Sequence, residues 1–178
     1  SHWLRYQNRG GFFANLTIKD NILIPNAGID ESNANNHYIL WPKEIDKLCR
    51  EIRARLTQKH NLKNLGVVAT DSALTPMRWG VTAIAIGLSG VQPLKNLRGK
   101  RDIFGREMRI AQVNTIDPLA AAAGLLMGEG KERIPIVILR GYKGIKFSRR
   151  GNMSGFSIPP ETDLYQPLLE VMQKNSEK

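Results

Sequence analysis

The sequence is poor in the residues that announce the commonest catalytic and metal chemistries. Its 178 residues hold one cysteine, Cys49, and three scattered histidines, His2, His37 and His60. A single thiol forms no internal disulfide, which predicts a reducing, cytoplasmic setting. With no cysteine pair and no clustered histidines, a zinc site is not expected. There is no GxxxxGK[ST] or GxGxxG run, so the P-loop and Rossmann readings fall away, and no GxSxG elbow supports a Ser-His-Asp hydrolase. No apolar run reaches the roughly 18 residues a bilayer span needs. The opening segment SHWLRYQNRG also lacks the apolar core of a signal peptide, so a soluble chain with no membrane partner is expected.

What is present is the composition of a packed protein: 42% hydrophobic and 7% aromatic residues, enough to exclude disorder as the default. The length fits one ordinary domain, or two small lobes sharing a core. Lys and Arg outnumber Asp and Glu by 26 to 16, a formal charge of +10 that favours polyanions, phosphorylated ligands and nucleotides. Much of the excess (Lys43, Lys47, Arg50, Arg53, Arg55, Lys59) is dispersed along a helical pattern and reads as solvated surface. Two tighter groups, Arg98-Gly99-Lys100-Arg101 and Arg149-Arg150-Gly151, sit among glycines that could let them wrap a phosphate. Aromatic residues are not interleaved with the basic ones, so nucleic acid is not the expected partner, and a non-catalytic basic binding module is the weaker reading.

Alternation over Phe13–Ile18 and Asn21–Ile24 predicts two strands joined at Lys19-Asp20-Asn21, and His37–Trp41 predicts a third. Pro42 opens a helix ending before Asn61, with Cys49 on its apolar side beside Ile45, Leu48, Ile52 and Leu56, a core thiol rather than a nucleophile. Strands follow at Gly66–Thr70, which would deliver Asp71 and Ser72 at its end, and at Val81–Ile86. Asp117 as N-cap and Pro118 as first helical residue begin a helix that Gly128 and Gly130 stop; a strand at Ile134–Leu139 and a helix from about Asp163 complete an α+β architecture.

The chemistry-bearing residues left are acidic and lie in loops beside strands: Asp30 and Glu31, then Asp71 followed by Ser72. Carboxylate and hydroxyl oxygens suit Mg or Mn, although Asp and Asn in turns also serve simply as turn residues.

Four ordered blocks resemble the coenzyme F-420:L-glutamate ligase family. They are Asn26-Ala-Gly-Ile-Asp-Glu-Ser-Asn33; Ala69-Thr-Asp71 with Arg78-Trp-Gly-Val-Thr-Ala-Ile-Ala-Ile-Gly87; Leu97-Arg-Gly-Lys-Arg-Asp-Ile-Phe-Gly-Arg-Glu107; and Asp117-Pro-Leu-Ala-Ala-Ala-Ala123 up to Leu126-Met-Gly128. The resemblance implies a ligase-family domain that uses GTP and a divalent metal to join the amine of L-glutamate to a carboxylate acceptor through an acyl phosphate. It implies metal ligands at Asp30, Asp71 and Ser72, nucleotide contacts from Asn33, Gly128 and Glu129, and a homodimer. Arg78, Lys100 and Arg101 become candidates for anionic substrate or phosphate, against the plainer reading that Arg98–Arg106 is a turn whose glycines serve the backbone. The general acid or base is not assigned. The deazaflavin precursor is the expected acceptor, with a folate or pterin as alternative.

The chain also departs from the family pattern. Ser72 replaces the usual threonine, Ala73-Leu74 replaces Phe-Gly, and Glu129 stands where many members have glutamine, adding negative charge beside the nucleotide. Family members carry a longer N-terminal portion with glycine-rich and lysine-bearing nucleotide contacts, so the 178 residues are expected to lack part of the family fold.

Overall fold

The computed structural model describes residues 3–7 and 13–175, which gather into two compact units. Helices and small sheets are mixed without strict βα alternation, as an α+β fold requires.

The first unit comprises residues 1–43, 73–80 and 157–178. Its centre is a three-stranded antiparallel sheet in the order β1 (Trp3–Gln7), β2 (Phe13–Lys19), β3 (Ile22–Pro25). The expected hairpin is there, and its turn is made by Asp20 and Asn21 at φ 52° and 59°, the positive values a two-residue turn needs to match strand twist. Strand β1 was not anticipated. Thr17 is buried opposite Ile24; its Oγ1 donates to the Ile24 carbonyl and accepts from Ala27 N at 2.8 Å, pinning the next loop to the sheet.

The strand expected at His37–Trp41 is absent. Asp30 and Ile39 instead form one isolated bridge, exchanging both backbone hydrogen bonds at 3.0 and 2.7 Å. Asn33, Asn35 and Asn36 all have positive φ between them, so the chain is bent too often for a ladder to extend. Trp41 lies over Gly28, with Lys19 Nζ 4.9 Å from its ring centroid. The C-terminal helix α3 (Gln166–Asn175) begins three residues later than expected and packs on β1.

The second unit, residues 44–72 and 81–156, is built around β5 (Val81–Ser89), which is almost wholly buried from Ala83 onward. Strand β5 pairs with β4 (Val67–Leu74), and both α1 (Ile45–His60) and α2 (Ile116–Met127) pack on it. Ala85, Leu88, Val91 and Ile116 form the core, with Val68, Ile145 and Met153 against it. Gly124 lets α2 approach closely, because a Cβ there would collide with Ala83. Cys49 is 1% exposed, and burial pushes its thiol pKa up, consistent with a core residue. Leu48, Ile52 and Leu56 remain partly exposed on the same helix.

Helix α1 starts at Ile45, after Glu44 in the left-handed region, so Pro42 precedes the helix instead of opening it. Asp117 is likewise not the N-cap of α2. Asn114 Oδ1 accepts from Ile116 N and Asp117 N at 3.1 Å each, leaving Asp117 free to accept from Ala85 N of β5 at 3.0 Å. Asp46 plays the same part in α1, accepting from Leu88 N at 2.8 Å and Met153 N at 3.0 Å. No strand forms at Ile134–Leu139: the alternation is strand-like, but among the described residues no neighbour pairs with it, and Ile136 is 79% exposed. A second small sheet joins β6 (Leu94–Asn96) to β7 (Gln112–Asn114). Among the described residues no helix is long and apolar enough to cross a membrane.

Candidate functional site

Asp71 and Ser72 lie inside β4 rather than beyond its end, because the strand continues to Leu74. Strand alternation then puts Thr70 and Ser72 on one face and Asp71 on the other. The contacts follow that parity: Thr70 Oγ1 reaches Met127 Sδ at 4.0 Å, and Ser72 Oγ donates to the Glu129 carboxylate, with its oxygens at 2.7 and 2.8 Å. Asp71 folds back along the strand, its Oδ1 accepting from Ser72 N at 2.8 Å.

Gly128 ends α2 at φ 76°. The turn beyond it is held by Glu132, whose Oε2 accepts from Gly130 N at 2.8 Å and whose side chain lies against Gly128. Ser72 and Glu129, with Gly128 beside it, are far apart in sequence and meet in the second unit, while Asp71 lies on the other face of β4.

Asp30 belongs to the first unit, in the loop that follows a short turn at Asn26–Gly28. Asn26 Oδ1 accepts from Asn15 N at 3.0 Å, tying the loop's start to β2. Asp30 accepts from Ser32 N at 2.8 Å and from Ser32 Oγ at 2.9 and 2.7 Å. The Ser32 backbone bond is the main cause that lowers its pKa, against a smaller opposing effect of burial, so Asp30 is an anion at neutral pH. Asn33 follows at φ 54°.

Arg78 lies in the exposed 75–80 turn between β4 and β5, flanked by Met77 and Trp79, both fully exposed. Lys100 and Arg101 belong to an irregular hairpin that continues β6 and β7: Gly99 N donates to Met108 O, Met108 N to Lys100 O, and Arg101 bridges Glu107. Gly99 and Gly105 both have positive φ, as the plainer turn reading requires, and Asp102 Oδ1 closes the tip by accepting from Phe104 N and Arg106 N at 2.9 Å.

Lys100 also lines a cleft of about 410 Å³ in the second unit, together with Lys95, Lys143 and Lys146. Arg101 does not line it, nor do Asp71, Ser72 or Glu129. Sequence reading missed the other three lysines because 48 positions and a hairpin separate Lys95 from Lys143, and no local pattern joins them.

Among the described residues no group of three or more His, Cys, Asp or Glu gathers as a ready-made metal cage. Taken separately, the Asp30 carboxylate of the first unit and the Asp71 and Ser72 oxygens of the second are donors of the hard type that Mg takes.

The sequence profile of the F420-0:gamma-glutamyl ligase family matches residues 10–141, and the chain belongs to that family. Among its relatives is a protein of Methanopyrus kandleri named Coenzyme F420:L-glutamate ligase, 42% identical over 135 residues, covering 75% of this chain and 53% of the relative. Proteins of the same name from Methanocaldococcus jannaschii (37% identical over 159 residues, 88% and 62% covered) and Methanococcus maripaludis (41% over 131 residues, 74% and 52% covered) are also similar. The chain thus spans a little over half the length of these relatives.

Proposed function

We propose that this chain is part of a γ-glutamyl ligase that adds L-glutamate to the deazaflavin coenzyme F420 precursor, using GTP and Mg or Mn, and acting as a homodimer. The observation that supports the reading, beside family membership, is that two of the four family blocks meet, Thr70 against Met127 and, one residue beyond each block's end, Ser72 on Glu129.

The chemistry needs an activated carboxyl group, because a carboxylate is a poor electrophile. An acceptor carboxylate oxygen attacks the terminal phosphorus of GTP, releasing GDP and leaving an acyl phosphate. The glutamate amine then attacks the acyl carbon, phosphate leaves with the bonding pair, and the amine gives up a proton as the amide forms. Bound Mg or Mn would offset phosphate charge and orient the transferring group.

The chain's own residues have definable parts in this. Glu129 accepts a hydrogen bond from Ser72 Oγ, which would leave the hydroxyl oxygen available to a cation. Ser72 N–H holds the Asp71 carboxylate in one orientation. Hydrogen bonds from Ser32 favour the charged form of Asp30. Asn33, Gly128 and Glu129 contact the nucleotide, while Arg78, Lys100 and Arg101 offset anionic charge on substrate and phosphate.

The test follows product mass and released phosphate in a chain extended to the length of its relatives, supplied with metal, GTP or ATP, glutamate and either the deazaflavin precursor or a folate. Glutamate should add to the deazaflavin acceptor, and nucleotide should be consumed only when glutamate and acceptor are both present. Addition to the folate alone would move the acceptor assignment. With neither acceptor modified, no nucleotide bound and salt-sensitive binding to RNA or DNA instead, the ligase reading fails.

A further inference from the structure

The hairpin of residues 98–109 presents its tip from a fixed backbone. Gly99 N donates to Met108 O at 3.0 Å while Met108 N donates to Lys100 O at 2.8 Å, so two residues of one strand oppose one of the other, a bulge that opens on a left-handed glycine. Arg101 and Glu107 pair just beyond it. Asp102 N then donates to Arg106 O at 2.9 Å and Gly105 N to Asp102 O at 3.0 Å, closing a turn with Ile103 and Phe104 at its central positions. The Asp102 carboxylate accepts from both Phe104 N and Arg106 N, which locks the turn from inside and leaves it little freedom to fold its side chains back onto the strands.

Loop tips in water ordinarily carry small or polar residues. This one carries Ile103, 91% exposed, beside Phe104, 88% exposed. Single exposed apolar side chains are commonplace, but two large neighbours held outward on a locked turn keep apolar area in water that a partner would cover. Around them are Arg98, Lys100, Arg101, Arg106 and Arg109, all exposed, against two carboxylates, Glu107 and the Asp102 engaged in the turn. Among the described residues none of these five cations is ion-paired, the recorded pair being Lys47 with Glu44 elsewhere. Charge and shape together narrow the partner. A convex apolar tip ringed by cations complements an anionic outer layer over an apolar interior, which is the layering of an anionic lipid leaflet. A second copy of this chain is a poor seat, since it carries the same +10 charge and the cleft of its second unit is lined by lysines with no carboxylate. Single-stranded nucleic acid would supply phosphates but asks for rings on which bases stack, and Ile103 offers none.

We propose that this hairpin is a peripheral membrane anchor, in which Ile103 and Phe104 enter the boundary between headgroups and acyl chains of an anionic bilayer while Lys100 and the flanking arginines meet the headgroups. The contact is shallow and reversible and needs no spanning segment, so it agrees with the absence, among the described residues, of a helix able to cross a membrane. The expectation of no membrane partner rested on spanning runs and signal peptides, neither of which this contact uses. It does not depend on the ligase reading.

Cosedimentation of the full chain with vesicles of phosphatidylcholine, and with vesicles of an equimolar phosphatidylcholine–phosphatidylglycerol mixture, tests the anchor. The chain should bind the anionic vesicles, less as salt rises, and should bind the neutral ones weakly or not at all. Arg106→Gln/Arg109→Gln should lose about tenfold or more in apparent affinity, through lost attraction to the headgroups. Ile103→Ser/Phe104→Ser should lose at least about fivefold, through lost inserted area. Arg55→Gln/Lys59→Gln removes the same charge from the exposed side of α1 and should stay within about twofold of wild type. A polarity-sensitive fluorophore on Phe104→Cys reads insertion directly and whatever the serine variant's folding, since the buried Cys49 thiol stays unlabelled. Its emission should shift to the blue on anionic vesicles, and the same label on Lys59→Cys should not shift. Failure to bind anionic vesicles, wild-type binding by the serine variant, an unshifted label at position 104 or an equal loss in the α1 variant would each overturn the proposal. Binding of single-stranded RNA in place of vesicles would also overturn it, by assigning the hairpin to nucleic acid.

Discussion

Two pairs of carboxylates show how differently the same chemical group is used in two regions of the molecule. Asp46 and Asp117 sit in the first turns of α1 and α2 and accept from backbone N–H groups of Leu88 and Ala85 on the buried strand β5. Asp30 and Glu129 lie in exposed segments and accept from the serine hydroxyls of Ser32 and Ser72. Removing the first pair strands polar backbone groups inside the core. Removing the second frees a hydroxyl that water can satisfy. What a carboxylate is worth to the fold therefore depends on what its partner loses, whereas its worth to function depends on its charge staying accessible.

The largest expected effect lies on the buried side. Asp117→Ala should destabilise the chain by about 2–3 kcal/mol, and Asp46→Ala by a similar amount, because each leaves a partly buried N–H of β5 without its charged acceptor. That approaches the lower end of the roughly 2–5 kcal/mol expected for Leu88→Ala, which empties a fully buried site. Urea unfolding measures both. If Asp117→Ala costs less than about 0.5 kcal/mol, water reaches the Ala85 amide and the division into two kinds of carboxylate breaks down.

An intermediate effect is expected at the candidate site. Asp71→Asn keeps the volume and the acceptor for Ser72 N–H but removes the charge, so it should weaken Mn affinity about tenfold or more while shifting stability by less than about 0.5 kcal/mol. Calorimetric Mn titration beside the same urea curves separates the two quantities. Loss of stability without loss of metal affinity would place Asp71 with Asp46 and Asp117 as a structural group.

How much of this was legible in the sequence follows the same division. The hairpin at Asp20 and Asn21, the Cys49 face of α1 and the end of α2 at Gly128 were readable, because turn chemistry, helical spacing and a glycine stop are local signals. The strands expected at His37–Trp41 and Ile134–Leu139 did not form, because strand pattern is local but pairing is not. Asp117 was read as a cap when its partner is Ala85, 32 residues away, and Asn114 does the capping. Family blocks pointed to Asp71, Ser72 and Glu129, yet only the fold shows that β4 alternation turns Ser72, not Asp71, toward Glu129. Of the lysine cleft only Lys100 was legible in the sequence, since its walls come from separate hairpin and loop segments.

The smallest expected effect sharpens the comparison at its exposed end. Hydrogen bonds from Ser32 lower the pKa of Asp30, so the folded chain holds this proton less tightly than the unfolded chain does. A lowered folded pKa stabilises the native state above the unfolded carboxylate value of about 3.9, and that contribution is lost as pH falls through the folded value. Asp30→Asn should therefore melt slightly below wild type at neutral pH, and the two melting curves should converge in acid as wild-type Asp30 takes up its proton. The difference should stay small, because Asp30 is solvent-exposed and water competes with both serine donors. Thermal melts between about pH 2 and 7 measure it. If the gap widens toward acid, the fold favours the protonated form of Asp30 and the Ser32 donors do not set its charge.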